Sequence, residues 1–273
     1  MTVINTNIGA TIARNAITTN ERSMANSMER LSTGLRINSA GDDAAGHAIS
    51  SRMAADIAGL DMGVRNANDA ISMIQVMDGA TKEITDMLVR MKELATQAAS
   101  ETYSDSDRDN LDLEYQALEA EITRIQANTK WNGMALLDSD AGAKAIQLGS
   151  SAVSFTFVDW SIGEAAGVLK DIVGADLQSK GNAVTALGKV DLAITAATAE
   201  QAKFGAWMNS LAHAADNLLN VSANTDQSRS RIQDADYAVE TTNLARTQII
   251  AQASTAMLAQ ANNMKQTVLA LLD

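Results

Sequence analysis

Apolar residues recur in this chain by alternate threes and fours over long stretches, and not one proline interrupts them. That spacing gathers the apolar side chains on one stripe of an α-helix, the seam of helices that pack lengthwise. With no proline, nothing in the sequence forces a kink. The longest register starts at Leu60 and runs through Ala67, Ala70, Ile74, Met77, Thr81, Ile84, Leu88, Met91, Ala95 and Ala98, with Gly63 and Thr81 as its weak members. Unbroken from Ala44 to Ala98, such a helix would be about 80 Å long at ~1.5 Å per residue.

Shorter registers flank it. Ile17, Met24, Met28, Leu31 and Leu35 give a helix near the start, followed by a boundary near Asn38 and a capping box of Ser39 and Asp42. The polar stretch from Ser100 to Ser106 reads as a turn with Ser104 or Ser106 as the N-cap. A returning helix with Leu111, Tyr115, Leu118, Ile122 and Ile125 should then stop between Asn128 and Gly133. Between Trp131 and Gly181 the helical period fades. There Ile146, Leu148, Val153, Phe155, Phe157 and Val158 surround the turn formers Gly149, Ser150 and Ser151, a pattern that predicts a small β-hairpin region. Helical spacing resumes from Leu187 through Val190, Ile194, Ala197, Phe204, Met208, Leu211, Ala215 and Leu218, broken only by Gln201. After the polar run Ser222 to Ser230, a last helix carries Ile250, Ser254, Met257, Ala261, Met264, Val268 and Leu271. The fold class is therefore mainly α, with long antiparallel helices in a coiled-coil-like bundle and a small β-hairpin region.

Both ends are amphipathic, yet each offers few large apolar anchors against the backbone entropy of ordering it. The ends are expected to be disordered in the free subunit and to fold as a helical pair against other copies, which couples folding to binding. Ile17, Met24, Met28, Leu31, Leu35, Ile250, Met257, Met264, Val268 and Leu271 are the candidate self-assembly interface. Two ends that complete one intramolecular bundle would show the same periodicity.

Composition narrows the function. The chain has no cysteine, so disulfides, thiolate metal sites and cysteine nucleophiles are excluded together. A formal charge of −12 argues against nucleic-acid binding, which needs clustered Lys and Arg. The segment from Met1 to Asn20 lacks a basic leader followed by an apolar run, and no stretch approaches a membrane span, so an exported chain would need a route without a cleaved signal peptide. His47 and His213 lie far apart, and no HExxH, GxGxxG or Walker motif is present; the sequence offers no constellation for an enzyme, no metal site and no cofactor. Asp42 and Asp43 at a helix start are explained by the macrodipole, and the Met seam by adaptable packing. Trp131, Trp160 and Trp207 invite a carbohydrate-binding reading, although buried or hairpin-packing aromatics are the commoner explanation.

Several ordered segments carry a family resemblance. Glu29 to Arg52 reads ERLSTGLRINSAGDDAAGHAISSR, Arg65 to Ile71 RNANDAI, Leu88 to Ala98 LVRMKELATQA, and Trp131 to Asp138 WNGMALLD. Toward the other end stand SRIQDADYAVET from Ser230 and AMLAQAN from Ala256. In this order the segments closely resemble the two terminal signatures of bacterial flagellins. The resemblance implies a structural subunit of the flagellar filament. Residues 1–43 and 235–273 would form an inner helical pair lining a channel, and residues 44–234 an outer helical layer with the β-hairpin region at about 131–181. It also implies a homopolymer, export by the flagellar type III apparatus with a dedicated chaperone, growth beneath a filament cap, and contact with hook-junction proteins. Flagellins usually carry additional central domains; the span from Asp138 to Gly181 is too short for one, so this chain resembles a near-minimal form.

Some positions depart from the flagellin pattern. Gly41 stands where Lys is usual, His47 where Leu or Gln is frequent, Ser210 where Arg is common, and Lys265 where Pro is usual. The last of these should let the terminal helix continue. Arg90, Leu94 and Glu114 align with flagellin positions recognised by the vertebrate Toll-like receptor for flagellin, so the resemblance implies a receptor contact there. Two further readings compete with the filament subunit: a surface-displayed adhesin or glycan-binding homologue, and a filament-junction protein.

Overall fold

The computed structural model describes residues 6–138, 142–163, 167–172 and 174–269, without the side chains of residues 171 and 264–269. Five helices carry the described chain: α1 (Ile8–Thr33), α2 (Ala44–Ala98), α3 (Asp105–Asn128), α4 (Lys180–Gln233) and α5 (Tyr237–Leu269). Two antiparallel ribbons lie between α3 and α4: β1 (Lys130–Trp131) with β2 (Met134–Ala135), and β3 (Ala143–Leu148) with β4 (Ser151–Thr156). The chain divides into two compact units, residues 1–57 with 223–273, and residues 58–222.

In the unit of residues 58–222 the threes-and-fours stripe of α2 is the core. Ala67, Ile74, Met77, Ile84, Leu88, Met91, Ala95 and Ala98 are completely buried, joined by Tyr115 and Ile122 of α3 and by Val190, Ala197, Phe204 and Leu211 of α4. The polar interruptions of the two registers are linked through Thr85: its hydroxyl donates to the carbonyl of buried Thr81 at 2.8 Å and accepts from Gln201 Nε2 at 3.1 Å. Turn chemistry sets the corner between α2 and α3. Ser104 is the N-cap of α3 in a reciprocal capping box with Asp107, and buried Arg108 donates from Nε to the Ala98 carbonyl at 2.8 Å and from Nη2 to that of Ser100 at 2.9 Å, closing the end of α2.

The expected hairpin is β3–β4, with Leu148 opposite Ser151 across Gly149, whose φ is +66°. Its tip rests on α2: Asn66 Nδ2 donates to the Gln147 carbonyl at 2.9 Å, and a Cβ added to Gly63 would stand 2.6 Å from the Gly149 nitrogen. Beneath it Trp207 packs on Phe155, Phe157 and Phe204 with ring centroids 5.3, 5.5 and 5.8 Å apart. The β1–β2 ribbon turns on Asn132 and Gly133, both at positive φ, the Asn-Gly turn favoured in two-residue hairpins. The segment before α4 is fastened by Asp112, 3% exposed, whose Oδ1 accepts the Leu177 N–H at 2.8 Å.

Two local expectations are corrected. The polar run Ser222 to Ser230 does not separate two helices; it lies inside α4, which continues to Gln233 because the run contains neither Gly nor Pro. Nor do Ser39 and Asp42 open α2. Asp42 Oδ2 accepts the N–H groups of Asn38 and Ser39 in a turn of its own, which holds its carboxyl below the usual range, and Asp43 caps α2 by accepting from Ala45 and Gly46. Helix α5 runs past Lys265, as the missing proline allows.

Candidate self-assembly interface

In the unit of residues 1–57 and 223–273, α1 begins at N-cap Asn7, whose Oδ1 accepts the Ala10 N–H at 3.1 Å. It ends at Gly34 in the left-handed conformation, φ +74°, where the Gly34 N–H reaches the Arg30 carbonyl at 2.9 Å. The chain leaving α1 pairs with the joint between α4 and α5. Leu35 bridges Asp234, the Arg36 N–H donates to the Gln233 carbonyl at 2.6 Å, and the Ala235 N–H to the Gly34 carbonyl at 2.9 Å. Asp236 Oδ1 accepts the Ala238 N–H at 2.8 Å and so starts α5. This joint places α1 and α5 side by side.

The contact between α1 and α5 is polar at its most buried positions. On α1 the deepest positions are Asn20 and Ser27, and on α5 Glu240 and Ser254, all at 8% exposure or less. Asn20 Nδ2 donates to the Thr247 carbonyl at 2.7 Å, Arg30 Nη1 to Glu240 Oε1 at 3.1 Å, and the Tyr237 hydroxyl to the Leu31 carbonyl at 2.8 Å. A cleft of about 420 Å³ runs along this contact, lined by Asn20, Ser23, Asn26, Ser27, Arg30, Glu240, Asn243, Arg246, Thr247 and Ile250.

The candidate interface residues take two kinds of place around this stripe. Ile17, Met24 and Leu31 lie on it and are half-buried, as is Leu35 at the joint. Met28, Ile250 and Met257 stand outward, exposed by 55%, 39% and 59%. The side chains of Met264 and Val268 and the whole of Leu271 lie outside the described residues. On α5 the inward stripe is Glu240, Leu244, Thr247, Ala251, Ser254, Leu258 and Ala261, so Ile250 and Met257 each fall one position ahead of it. Sequence reasoning passed over Ile8, Ile12, Tyr237, Val239 and Ile249, which are also more than half exposed. Their signal was a second apolar set off the main seam, legible only once the seam's direction is known. A groove of about 360 Å³ among them is lined by Gly9, Ile12, Ala13, Ala16, Met257, Gln260 and Ala261.

The remaining candidates lie in the unit of residues 58–222. Arg90 and Glu114 form an exposed pair, with Arg90 Nε and Nη2 donating to Glu114 Oε1 at 3.0 and 2.9 Å and Nη1 to Glu93 at 2.9 Å. Leu94, one turn along α2, is 1% exposed and belongs to the core. Trp160 is fully buried and Trp131 and Trp207 half-buried; Trp207 packs among phenylalanines, and Trp131 lines an open pocket of about 340 Å³ in which no second aromatic joins it. His47 is half-buried in the first turn of α2. Among the described residues no three His, Asp or Glu side chains are grouped to hold a metal ion, and no helix is long and apolar enough to cross a membrane.

Comparison with known proteins covers both ends of the chain. Residues 4–141 match the bacterial flagellin N-terminal helical region, and residues 187–272 the bacterial flagellin C-terminal helical region. The chain is 40% identical over 270 residues to a flagellin of Halalkalibacterium halodurans, covering 99% of each. It is 34% identical over 287 residues to the flagellar filament 31.3 kDa core protein of Treponema maltophilum, covering 99% of this chain and 100% of that one. A crystal structure of Bacillus cereus flagellin is 33% identical and superposes with a TM-score of 0.50, over 56% of this chain and 88% of that one. The short span between the two matched regions holds the β3–β4 hairpin. With helices at both ends and little between them, the chain belongs to the bacterial flagellins, the structural subunits of the flagellar filament, and is a form with a short central region.

Proposed function

We propose that this flagellin polymerises through α1 and α5, and that the pair they form becomes ordered as each subunit joins the filament. One observation carries the reading: the pair is polar at its deepest positions, while Ile8, Ile12, Met28, Ile249 and Met257 lie bare on its flanks. A helical pair gains most of its stability from burying an apolar face, and here much of that face has no cover among the described residues. A second copy presents the same bare flanks and can supply it. In this proposal residues 1–43 and 235–273 form the inner layer around a channel, and residues 44–234 the outer layer. The subunit leaves the cell through the flagellar type III apparatus, escorted by a chaperone, and adds beneath a cap on a filament seated on hook-junction proteins.

Limited trypsin digestion with seeded growth tests this. Free subunits are cut between Arg14 and Arg36 and between Arg231 and Lys265, and the same bonds are protected once filament seeds have elongated. Subunits that resist trypsin throughout both stretches and never elongate on seeds would overturn it.

The exposed Arg90–Glu114 pair supports a contact with the vertebrate Toll-like receptor for flagellin, in which Leu94 acts from beneath by shaping the helix surface. Reporter cells exposed to the free subunit and to its Arg90→Ala variant test it: loss of signal in the variant supports the contact, and an unchanged signal removes it.

A further inference from the structure

Most two-helix seams are apolar, but the one between α1 and α5 has polar side chains at its deepest points. An amide such as Asn20 is buried at little net cost only where it finds a partner, and a carboxylate such as Glu240 only where it meets a cation. Both find them in one register. Asn7 Nδ2 donates to the Ala261 carbonyl at 3.3 Å, Asn20 Nδ2 to that of Thr247 at 2.7 Å, and Arg30 Nη1 to Glu240 at 3.1 Å. Moving up one helix and down the other, the three bonds mark out the same antiparallel alignment.

We propose that Asn20 and the Arg30–Glu240 pair are the specificity-determining groups of the terminal helices, a key that admits one register and rejects those slipped by a heptad. The inference rests on the reading that this pair orders during assembly, and adds what decides how it orders. A slip of seven residues keeps the threes-and-fours stripes in contact, so small and apolar positions alone would tolerate it. The slip sets Glu240 opposite Ser23, or carries it past the last turn of α1, and sets Arg30 opposite Gln233 or Thr247. In the first case the Glu240 carboxylate faces the seam without Arg30, and in the second Glu240 and Arg30 are separated from each other with no facing turn of α1 beside Glu240. Polar groups within a helical seam characteristically fix register in this way while lowering stability.

The chain has no cysteine, so introduced pairs report the register cleanly. A Cβ added at Gly9 would lie 3.9 Å from the Ala261 Cβ, within disulfide reach, so Gly9→Cys with Ala261→Cys marks the native register. Gly9→Cys with Ser254→Cys marks a slip of one heptad, about 10 Å along the helix. Oxidised in seeded filaments and resolved as internally bridged subunits, the native pair is expected to close and the slipped pair to stay open. In a background carrying Asn20→Leu and Glu240→Leu, the slipped pair is expected to close at least tenfold more. Exchanging the charges, Arg30→Glu with Glu240→Arg, is expected to restore the exclusion that either change alone removes.

A slipped pair that stays open in the Asn20→Leu, Glu240→Leu background, or a charge exchange that restores nothing, overturns the proposal. Variants that do not elongate alone are assayed by the same bridges after copolymerisation with an excess of the unsubstituted subunit. Failure of the unsubstituted protein to elongate on seeds counts against the assembly reading alone, because its register is then read in solution in the same way.

Discussion

Single residues hold the fold at places where distant segments meet. Gly63 leaves α2 bare under the Gly149 turn, and a methyl there would stand 2.6 Å from a backbone nitrogen and 3.1 Å from the Leu148 carbonyl carbon. Backbone cannot yield as a flexible side chain does. Gly63→Ala is therefore expected to destabilise the fold by about 1–3 kcal/mol, read as a lower midpoint in thermal unfolding followed by circular dichroism. Glu119 is strained electrostatically: burial pushes its carboxyl above the usual 4.5, Asp112 pushes it further, and Lys189 opposes them. The folded state then holds the proton more tightly than the unfolded chain, so its contribution is favourable below pH 4.5 and is lost as pH rises through the elevated value. Glu119→Gln is expected to raise the melting temperature at pH 7, with the gain shrinking below pH 4.5. Gly63 stood out in the sequence only as a weak member of its register, and Glu119 not at all. A glycine or an acid within a helical register reads as a neutral or solvated position until its neighbour is known, and for Asp112 that neighbour, Leu177, is 65 residues away.

At the scale of elements, the sequence was most informative where the deciding interactions are local. Helix α2 spans Ala44 to Ala98 without a break, as its long apolar stripe led one to expect, although the residue that caps its start is Asp43 and not the Ser39 and Asp42 box. The turn at Gly149 and the cap at Ser104 also follow local signals. Ser104→Ala removes that cap and is expected to cost about 1 kcal/mol. Its partner Asp107 is held below the usual 3.8 by Ser104, so its contribution is present above pH 3.8 and fades as pH falls. Urea titrations at pH 7 and pH 3 should accordingly show the larger difference between variant and parent at pH 7. Legibility failed where polarity was taken for a break. The run from Ser222 to Ser230 is helical, and one reason is that Ser222, in α4, is buried with its hydroxyl bonded to Asp61 at 3.1 Å, a partner remote in sequence. The α1 stripe was legible in period and largely in direction, with only Met28 turned outward, whereas on α5 the expected register mixed inward Ser254 and Ala261 with outward Ile250 and Met257, because the seam also rests on Asn20, Ser27 and Glu240, side chains that no hydrophobic pattern selects.

For the whole molecule, charge and apolar exposure are distributed unequally. Residues 58–222 hold 12 basic and 23 acidic side chains, whereas residues 1–57 with 223–273 hold 9 and 10. Nearly all of the net charge of −12 therefore resides in the unit that does not contain α1 and α5. Like-charged subunits brought together in a filament repel through that unit, and salt screens them over about 8 Å at physiological ionic strength. The critical concentration for growth is expected to fall between 10 and 150 mM salt by sedimentation assay (on the order of these values for low and physiological strength). Met257→Glu, on the bare flank of α5, is expected to raise it about tenfold or more, since burial of one large apolar side chain is worth roughly 1.5–3 kcal/mol.

That bare flank has a bearing on the subunit before it is used. With those flanks as the proposed assembly surface, a free subunit is as ready to join another stray molecule as a growing tip. Storage at high concentration therefore demands that those termini be kept unfolded or wrapped until delivery, and the site of growth is chosen by where they are first allowed to fold.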